Sequence, residues 1–415
     1  MAPDGCGHKI ARIPPRRSHG LVYLHSNRRF RMFATLTLRR SVPVSLPAWG
    51  AIGGFTMAMG FGAAAIELLT APHARPRPPV EQIAFDRLIV GAHTVPLEGS
   101  FDSATDVRVA GRFAAVVHDH ESAITLFDAR NWKPLSTLRL PAASSTPRVA
   151  ELAIAPADSG RWIVLDRSHS ALDLVSERGT RLRHIALPRG LWSGVAWDSV
   201  RRRALVTGVK LDGPTGGSDG RSIHEFDERG AEVAAYREMA PIAHRLQASF
   251  NMPFAAIDGS VILMGSSLSN EVSLFDSASA RVRIVRVADD WFTPINWELA
   301  RPTAPPKTIA EPTLNWLSQQ TMLTAVIPVT HGRFIARFTQ HGRDRERYLY
   351  ALVDSLGRTR ALTAPTTVKL AGAVGDTISG LDVSEDRTAN IFVGVLREVI
   401  PRRFGDEGSL SRRGS

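Results

Sequence analysis

The sequence predicts an all-β fold built from one repeated module, and three observations support it. A short stretch that ends in Asp or Ser recurs along the chain, as Ile124–Asp128, Leu172–Ser176, Ile223–Asp227, Val272–Asp276 and Leu349–Asp354. Each copy alternates apolar with other residues, which is typical of a strand with one buried face. The closing residues at 128, 176, 227 and 276 are 48, 51 and 49 positions apart, a period typical of an array or a propeller. The next step, to 354, is 78 and must contain an insertion.

The residue that closes each copy is expected to end the strand in a hairpin turn. Asp and Ser side chains accept hydrogen bonds from the turn backbone that follows them. Two of the copies are directly followed by Glu-Arg-Gly, at Glu177–Gly179 and Glu228–Gly230. We therefore expect positive φ at Gly179 and Gly230, where glycine has no steric cost.

Composition and charge exclude several classes of protein. The 415 residues are 44% hydrophobic, ordinary for a globular chain. The formal charge of +11 comes mainly from residues 1–40, which carry nine Lys/Arg and one acidic residue, so no nucleic-acid partner is predicted. The only cysteine, Cys6, lies in that basic segment. Disulfides, cysteine metal clusters and thiol nucleophiles are therefore excluded from the folded part.

The N-terminal region predicts export or membrane attachment. Residues 1–40 are expected to be a disordered basic tail, and translation starting at Met32 is an alternative to Met1. Arg39 and Arg40 precede 26 uncharged residues, 41–66, long enough to span a bilayer as one hydrophobic helix. Segment 41–70 is interpreted as a signal anchor, with a cleaved signal peptide ending near 63–65 and a buried core helix as alternatives.

A signal anchor and a cleaved signal peptide both place the rest of the chain outside the cytoplasm, periplasmic or secreted. The protein would stay anchored to the inner membrane through residues 41–66 if that segment is not cleaved. The Arg pair also fits a twin-arginine export signal. Residues 71–80 are rich in proline and predict a stiff linker.

Residues 81–400 divide into six units of short strands. Five units show four strands each, spanning residues 106–140, 151–187, 194–237, 250–287 and 323–362. The sixth unit shows only Ile378–Val383 and Ile391–Leu396, followed by a polar C-terminal tail at 401–415 that is expected to be disordered. Ile83–Asp86 looks like a further copy of the repeat, and another strand pattern follows at Leu88–Leu97. We expect these two N-terminal strands to complete the last unit, because a closed ring leaves no exposed sheet edge.

The chain at this point resembles the six-bladed β-propeller superfamily that includes NHL-repeat and related bacterial extracytoplasmic proteins. The resemblance rests on Ser379–Val383 (S-G-L-D-V) before a strand and on Phe-Asp or Val-Asp turns at 127–128, 226–227, 275–276 and 353–354. It covers about residues 80–400, and Val175-Ser176 departs from the pattern. The resemblance implies the fold but no single function, because such propellers bind peptides, sugars, proteins or RNA, and some are enzymes.

The long connections of the predicted ring lie on one face, where a ligand or protein is expected to bind. In such propellers the connections between second and third strands share a face with those that link successive units. Loops 210–222, 288–320 and 340–348 belong to this set. Loop 288–320 carries Trp291, Trp297 and Trp316 and is interpreted as a cap. Packing of these rings against the units is the alternative to ligand contact.

Two smaller polar sets are candidate ligand or metal sites. Asp106 and Glu151 begin the first strands of neighbouring units and could hold Ca²⁺ or act as an acid/base pair. The resemblance supports this, because related calcium-dependent lactonases place acidic ligands in the central channel. His118 and His120 form an H-x-H after a strand, a spacing that suits metal or ligand contact but leaves a metal site incomplete. Ordinary solvated or hydrogen-bonded roles are the alternative for all four residues.

The sequence therefore favours a non-enzymatic, extracytoplasmic propeller that binds a ligand or protein through the loop-rich face. The first alternative is a metal-dependent hydrolase or lyase of lactonase type using Asp106 and Glu151. The second is an accessory subunit of a membrane complex held by residues 41–66. No phosphate-binding loop or serine nucleophile motif is present in the sequence, and no cofactor is predicted with the exception of Ca²⁺.

Overall fold

The computed structural model describes most of the chain between residues 80 and 397. The residues described are 80, 82–97, 104–118, 123–140, 152–212, 217–238, 252–289, 292, 319–342, 345–383 and 389–397. All of them belong to one of the two compact units of the chain, residues 76–302 with 310–415. Residues 41–70, with the predicted hydrophobic helix, lie outside this description. Within it, no helix combines the length and apolar character that a bilayer span needs.

The first three blades are antiparallel sheets whose strands follow one another in sequence order. Blade one contains β3 (Ala104–Ala110), β4 (Phe113–His118), β5 (Ala123–Asp128) and β6 (Lys133–Arg139). Blade two contains β7 (Leu152–Pro156), β8 (Trp162–Asp166), β9 (Ala171–Val175) and β10 (Arg181–Ala186). Blade three contains β11 (Gly190–Asp198), β12 (Arg203–Asp212), β14 (Arg221–Phe226) and β15 (Glu232–Glu238). A short strand, β13 (Gly217–Ser218), pairs with the end of β12.

The other three blades have the same strand order, and blades five and six each also contain one strand from the N-terminal part of the described chain. Blade four contains β16 (Pro253–Asp258), β17 (Val261–Ser266), β18 (Glu271–Asp276) and β19 (Arg281–Arg286). Blade five contains β20 (Thr321–Val329), β21 (Arg333–His341), β22 (Glu346–Val353), β23 (Thr359–Thr363) and, on its outer edge, β1 (Gln82–Ile83). Blade six contains β24 (Val368–Val374), β25 (Thr377–Val383), β26 (Ala389–Leu396) and, outermost, β2 (Ile89–Pro96).

The six sheets form a closed ring, which confirms the prediction of a six-bladed propeller. The inner strands contact one another in the cyclic order β3, β7, β11, β16, β20, β24 and back to β3. Buried apolar side chains form clusters between each pair of neighbouring blades, including blade six with blade one. Burial of these facing surfaces stabilises the ring.

Ring closure differs in detail from the prediction. Blade six takes three strands from the C-terminal end, because Val368–Val374 is an inner strand that the sequence pattern did not show. Only β2 comes from the N-terminus, pairing antiparallel with β26. The preceding β1 pairs parallel with β23 of blade five instead. The expected repeat at Ile83–Asp86 is wrong, because Phe85–Leu88 forms one helical turn, α1, that carries the chain from blade five to blade six.

The residues that close the repeat act as predicted. Asp227 accepts hydrogen bonds from the backbone N–H groups of Arg229 and Ala231, and Asp354 accepts from those of Leu356 and Arg358. These backbone donors lower the pKa of Asp227. Ser176 replaces the usual Asp in the second unit, and its hydroxyl accepts hydrogen bonds from the backbone N–H groups of Arg178 and Thr180. The glycines at 179 and 230 have φ of +78° and +82°.

Candidate functional site

A channel runs along the centre of the ring and encloses about 500 Å³. The innermost strands of all six blades line it. These strands run in the same direction, because each blade starts at the centre and proceeds outward. Their first residues therefore lie at one mouth of the channel, on the face predicted to carry the long loops. Basic and hydroxyl side chains lie among apolar ones in this lining, and the basic residues are Arg108, Arg167, Arg337 and Lys369.

Four inner strands carry a β-bulge near this mouth. The register against the second strand shifts by one residue, and the extra residue is Thr105, Ser193, Thr324 or Ala371. All four line the channel. A bulge leaves one residue out of the ladder and bends the strand, so its backbone carbonyl can meet other donors.

Two basic side chains use these carbonyls to connect blade six with blade one. The Lys369 ammonium donates to the carbonyl of Thr105, with 2.9 Å between Nζ and O. Arg108 donates in the opposite direction, from Nη1 to the carbonyl of Ala371. Arg108 also donates from Nε to the Asp106 carboxylate at 3.1 Å. The bulges therefore hold two cations side by side where the ring closes.

A third basic side chain connects blade five with blade six. Arg337 donates from Nη1 to the carbonyl of Leu370 at 2.7 Å and from Nε to the Thr324 hydroxyl at 3.2 Å. The Thr324 hydroxyl lies 2.8 Å from that of Thr339. Arg337 thus reaches the channel from a second strand, across the bulge at Thr324.

Electrostatic coupling joins these side chains into one site. Burial lowers the pKa of Lys369, and the positive charge of Arg337 lowers it further. The carboxylates of Asp106 and Glu346 act in the opposite direction, and Arg108 adds to the repulsion. Three cations therefore face two anions in a partly desolvated space, where charges interact more strongly than in water.

The three cations have more N–H groups than their protein partners use. Two guanidinium groups and one ammonium group provide 13 N–H donors. Within the described part of the chain, these three side chains donate five hydrogen bonds to protein acceptors. Since all three side chains line the channel, their remaining donors are available to a guest there. This arrangement favours a ligand that carries negative charge and several acceptor oxygens.

The predicted site residues are only partly within the described structure. Asp106 does line the channel, but its carboxylate pairs with Arg108 and accepts from the backbone N–H of Val107. His118 is buried in blade one, with Nε2 3.2 Å from the Thr125 hydroxyl. Their metal and ligand roles stay predictions. The other predicted residues lie outside the described residues, and these are Glu151, His120, Trp291, Trp297 and Trp316.

Sequence reasoning missed Arg108, Arg337 and Lys369. Lys369 lies on the inner strand that was not recognised, and arginine is common throughout this chain. The sequence did contain a partial signal, because Arg108 lies between Val107 and Val109, Arg337 lies between Ala336 and Phe338, and Lys369 lies between Val368 and Leu370. A basic residue within such a strand needs a partner or a solvated cavity.

Comparisons with known proteins support the fold and do not identify a family. No family profile and no curated protein matches the chain. A solved member of the DUF4221 family from Bacteroides vulgatus superposes with a TM-score of 0.52 at 11% identity, covering 77% of this chain and 98% of that one. A candidate exported protein from Bacteroides fragilis gives a TM-score of 0.49 at 8% identity, with coverages of 77% and 98%. Virginiamycin B lyase from Staphylococcus aureus gives 0.43 at 10% identity, with coverages of 74% and 99%.

At such low identities the likeness concerns the fold alone. The strand order and the ring of inner strands define the class directly: the chain is a six-bladed β-propeller.

Proposed function

We propose that this propeller binds a small anionic ligand at the mouth of its central channel. The observation that carries the proposal is the group of three basic side chains, Arg108, Arg337 and Lys369, which line the channel with N–H donors in excess of their partners. A carboxylate or phosphate of the ligand would accept from them and offset their mutual repulsion. Charge-assisted hydrogen bonds of this kind are among the strongest that proteins form.

The charge balance supports an anion in preference to Ca²⁺ at this mouth. A Ca²⁺ site needs several oxygen ligands with net negative charge. Asp106 already pairs with Arg108, and Lys369 and Arg337 add positive charge beside it. The metal-dependent hydrolase therefore receives no support from the surroundings of Asp106.

The proposal includes access from the loop-rich face and a location outside the cytoplasm. The first residues of the inner strands lie at the mouth that loops 210–222, 288–320 and 340–348 would surround. The Arg-flanked, uncharged segment 41–66 supports export or anchoring by the same physical reasoning that predicts signal segments.

Isothermal titration calorimetry with a panel of small carboxylates and phosphates tests the proposal. We expect at least one compound to bind with 1:1 stoichiometry and to bind more weakly at high salt. Lys369→Met should weaken binding by about tenfold or more, the loss expected for one hydrogen bond to a charged group. Arg281→Gln is the matched control, because Arg281 is exposed on the outer strand of blade four.

The pH dependence provides a second measurement. Binding needs a protonated Lys369, whose folded pKa is lowered from the ordinary lysine value of 10.5. Affinity should therefore fall with rising pH before an ordinary lysine would lose its proton. Absence of binding across the panel, or equal affinity in Lys369→Met and the wild type, would show that the channel does not serve this purpose.

A further inference from the structure

A second polar cluster lies in blade three, and none of its members lines the channel. It consists of Asp219, His224 and Glu232, which come from the connection after β13, from β14 and from β15. His224 Nδ1 lies 2.9 Å from Glu232 Oε1 and 3.7 Å from Asp219 Oδ2. The three atoms lie within 4.8 Å of one another. Among the described residues, this is the group with that geometry that could hold a metal ion.

Aromatic rings fix the orientation of the histidine. The imidazole is fully buried, with its centroid 5.2 Å from the ring of Trp192 at 76° and 6.4 Å from that of Phe226 at 25°. Since carboxylates only accept hydrogen bonds, Nδ1 must carry the proton when it bonds to Glu232. In the neutral ring, Nε2 then carries a buried lone pair that accepts no hydrogen bond within the described structure. A buried acceptor without a donor is costly.

A cation on Nδ1 would remove this cost. The imidazole proton would then reside on Nε2, where an N–H group beside aromatic faces makes a weakly favourable contact. The same ion would replace the proton now shared by Nδ1 and Glu232 Oε1. The unpartnered nitrogen thus points to a ligand at the other nitrogen of the ring.

The neighbouring charges leave room for one divalent ion. Lys210 Nζ lies 2.5 Å from Glu232 Oε2, so it occupies the second carboxylate oxygen and leaves Oε1 free to coordinate. Asp219 Oδ1 accepts from the backbone N–H of Arg221, which leaves Oδ2 for a metal. Two carboxylates and one lysine carry a net charge of −1, and an ion of +2 changes it to +1.

We propose that Asp219, His224 and Glu232 form a site for a first-row divalent metal ion, with Zn²⁺ the best fit. One imidazole nitrogen and two carboxylate oxygens are ligands that Zn²⁺ accepts, and water completes four-coordinate sites of this kind. Ligand atoms about 2.0–2.1 Å from a tetrahedral ion are ~3.3 Å apart. The distances of 2.9 and 3.7 Å bracket that value, so small side-chain shifts suffice. Hard Ca²⁺ and Mg²⁺ should bind poorly, because both prefer sites made only of oxygen ligands.

A metal here would tie the connection after β12 to the third and fourth strands of blade three. Asp219 directly follows β13, whose hairpin with β12 otherwise meets the blade through few strand hydrogen bonds. The ion is therefore expected to stabilise the segment between Lys210 and Arg221. Its site is separate from the channel and does not depend on the proposed anion.

Zinc titration of the chelator-treated full-length chain tests the proposal, with a chromophoric chelator as competitor. We expect one Zn²⁺ per chain and an X-ray absorption spectrum with one imidazole nitrogen and oxygen ligands at about 2.0–2.1 Å. Asp219→Asn and Glu232→Gln should each weaken binding by about tenfold or more. Asp219→Asn is the main variant, because the asparagine oxygen can still accept from Arg221 and the fold is preserved.

Glu228→Gln is the control, since it removes an acidic charge from the same blade away from the cluster, where Glu228 pairs with Arg183 and Arg202. Its zinc affinity should stay within about twofold of the wild type, as expected for a surface ion pair. Equal zinc affinity in Asp219→Asn and the wild type would assign the ion to other histidines and overturn the site. Failure to bind stoichiometric Zn²⁺ would also overturn it, and would mean that a proton, not a metal, satisfies His224.

Discussion

The seam between blades five and six depends on one buried hydroxyl, and Tyr350→Phe should weaken it strongly. Tyr350 lies on β22 of blade five and is fully buried. Its hydroxyl donates to the carbonyl of Val368 at 2.6 Å and accepts from the N–H of Leu370 at 2.8 Å. Both partners belong to β24, the inner strand of blade six. Burial raises the pKa of Tyr350, so the hydroxyl stays a neutral donor at physiological pH.

The magnitude follows from the two groups that the substitution leaves unpaired. Phenylalanine fills nearly the same space, so the apolar packing of the ring is kept. The carbonyl of Val368 and the N–H of Leu370 lose their partner in a buried environment, at about 1–3 kcal/mol for each unsatisfied group. Slight movement of the strand recovers part of this, and we expect a loss of about 2–4 kcal/mol in the free energy of unfolding.

Urea denaturation at neutral pH, compared by midpoint and slope, measures this loss. Tyr348→Phe is the matched control, two residues away on the same strand. The Tyr348 hydroxyl donates to the Glu346 carboxylate at 2.7 Å, and water can solvate that carboxylate after the change because 47% of the Glu346 side chain is exposed. The control should therefore lose no more than about 1.5 kcal/mol. Hydrogen exchange at the Leu370 amide should accelerate in Tyr350→Phe and not in the control.

A loss below about 0.5 kcal/mol in Tyr350→Phe, or one no larger than that of the control, would refute this account of the seam. It would mean that apolar packing alone holds blade six in place.

Two further predictions concern the same region. The hydrogen bond from His341, opposed by burial, lowers the pKa of Glu346 to about 2 from an ordinary 4.5. The ionised Glu346 therefore contributes fully to the stability of the fold above pH 4.5, and this contribution disappears as the pH falls toward 2. Glu346→Gln should thus be less stable than the wild type at neutral pH, by under about 1 kcal/mol because 47% of the side chain is exposed, and the difference should vanish in acid denaturation curves near pH 2. Gly380→Ala should destabilise by about 1–3 kcal/mol, since its Cβ would lie 2.4 Å from the carbonyl oxygen of Lys369. Gly372→Ala, whose Cβ meets nothing closer than 3.8 Å, should unfold in urea close to the wild type, and a similar loss in both variants would contradict the steric argument.

The repeat could be derived from the sequence because its signals are local. Alternation with a period of two marks each strand, and a closing Asp or Ser marks each turn. Asp227, Ser176 and Gly230 show the expected turn geometry for that reason. The motif alone does not show why the glycine of S-G-L-D-V, Gly380, is needed. The structure shows a steric reason, since the neighbouring strand comes too close to Gly380 for a Cβ atom.

Closure of the ring by an N-terminal strand was predicted correctly, but the strands assigned to blade six were wrong, and the difference has a physical reason. Strand β24 reads V-K-L-A-G-A-V, with a lysine and a bulge that break the alternation. The chain at 82–96 contributes to two blades, since β1 joins blade five and β2 joins blade six. The sequences of β1 and β2 do not show which strand each one pairs with, because the surrounding sheets determine the partner and its direction.

From its amino-acid order alone this protein is a ring of six β-sheet modules, since period, alternation and turn residues act within a few positions of one another. The candidate sites were decided only by the tertiary structure. Lys369, Arg108 and Arg337 are distant in sequence and converge because bulges in neighbouring inner strands expose carbonyls that their side chains can reach. Asp219, His224 and Glu232 likewise meet only because adjacent strands of one blade bring their side chains together. Convergence of this kind depends on three-dimensional packing, which spacing along the chain does not encode.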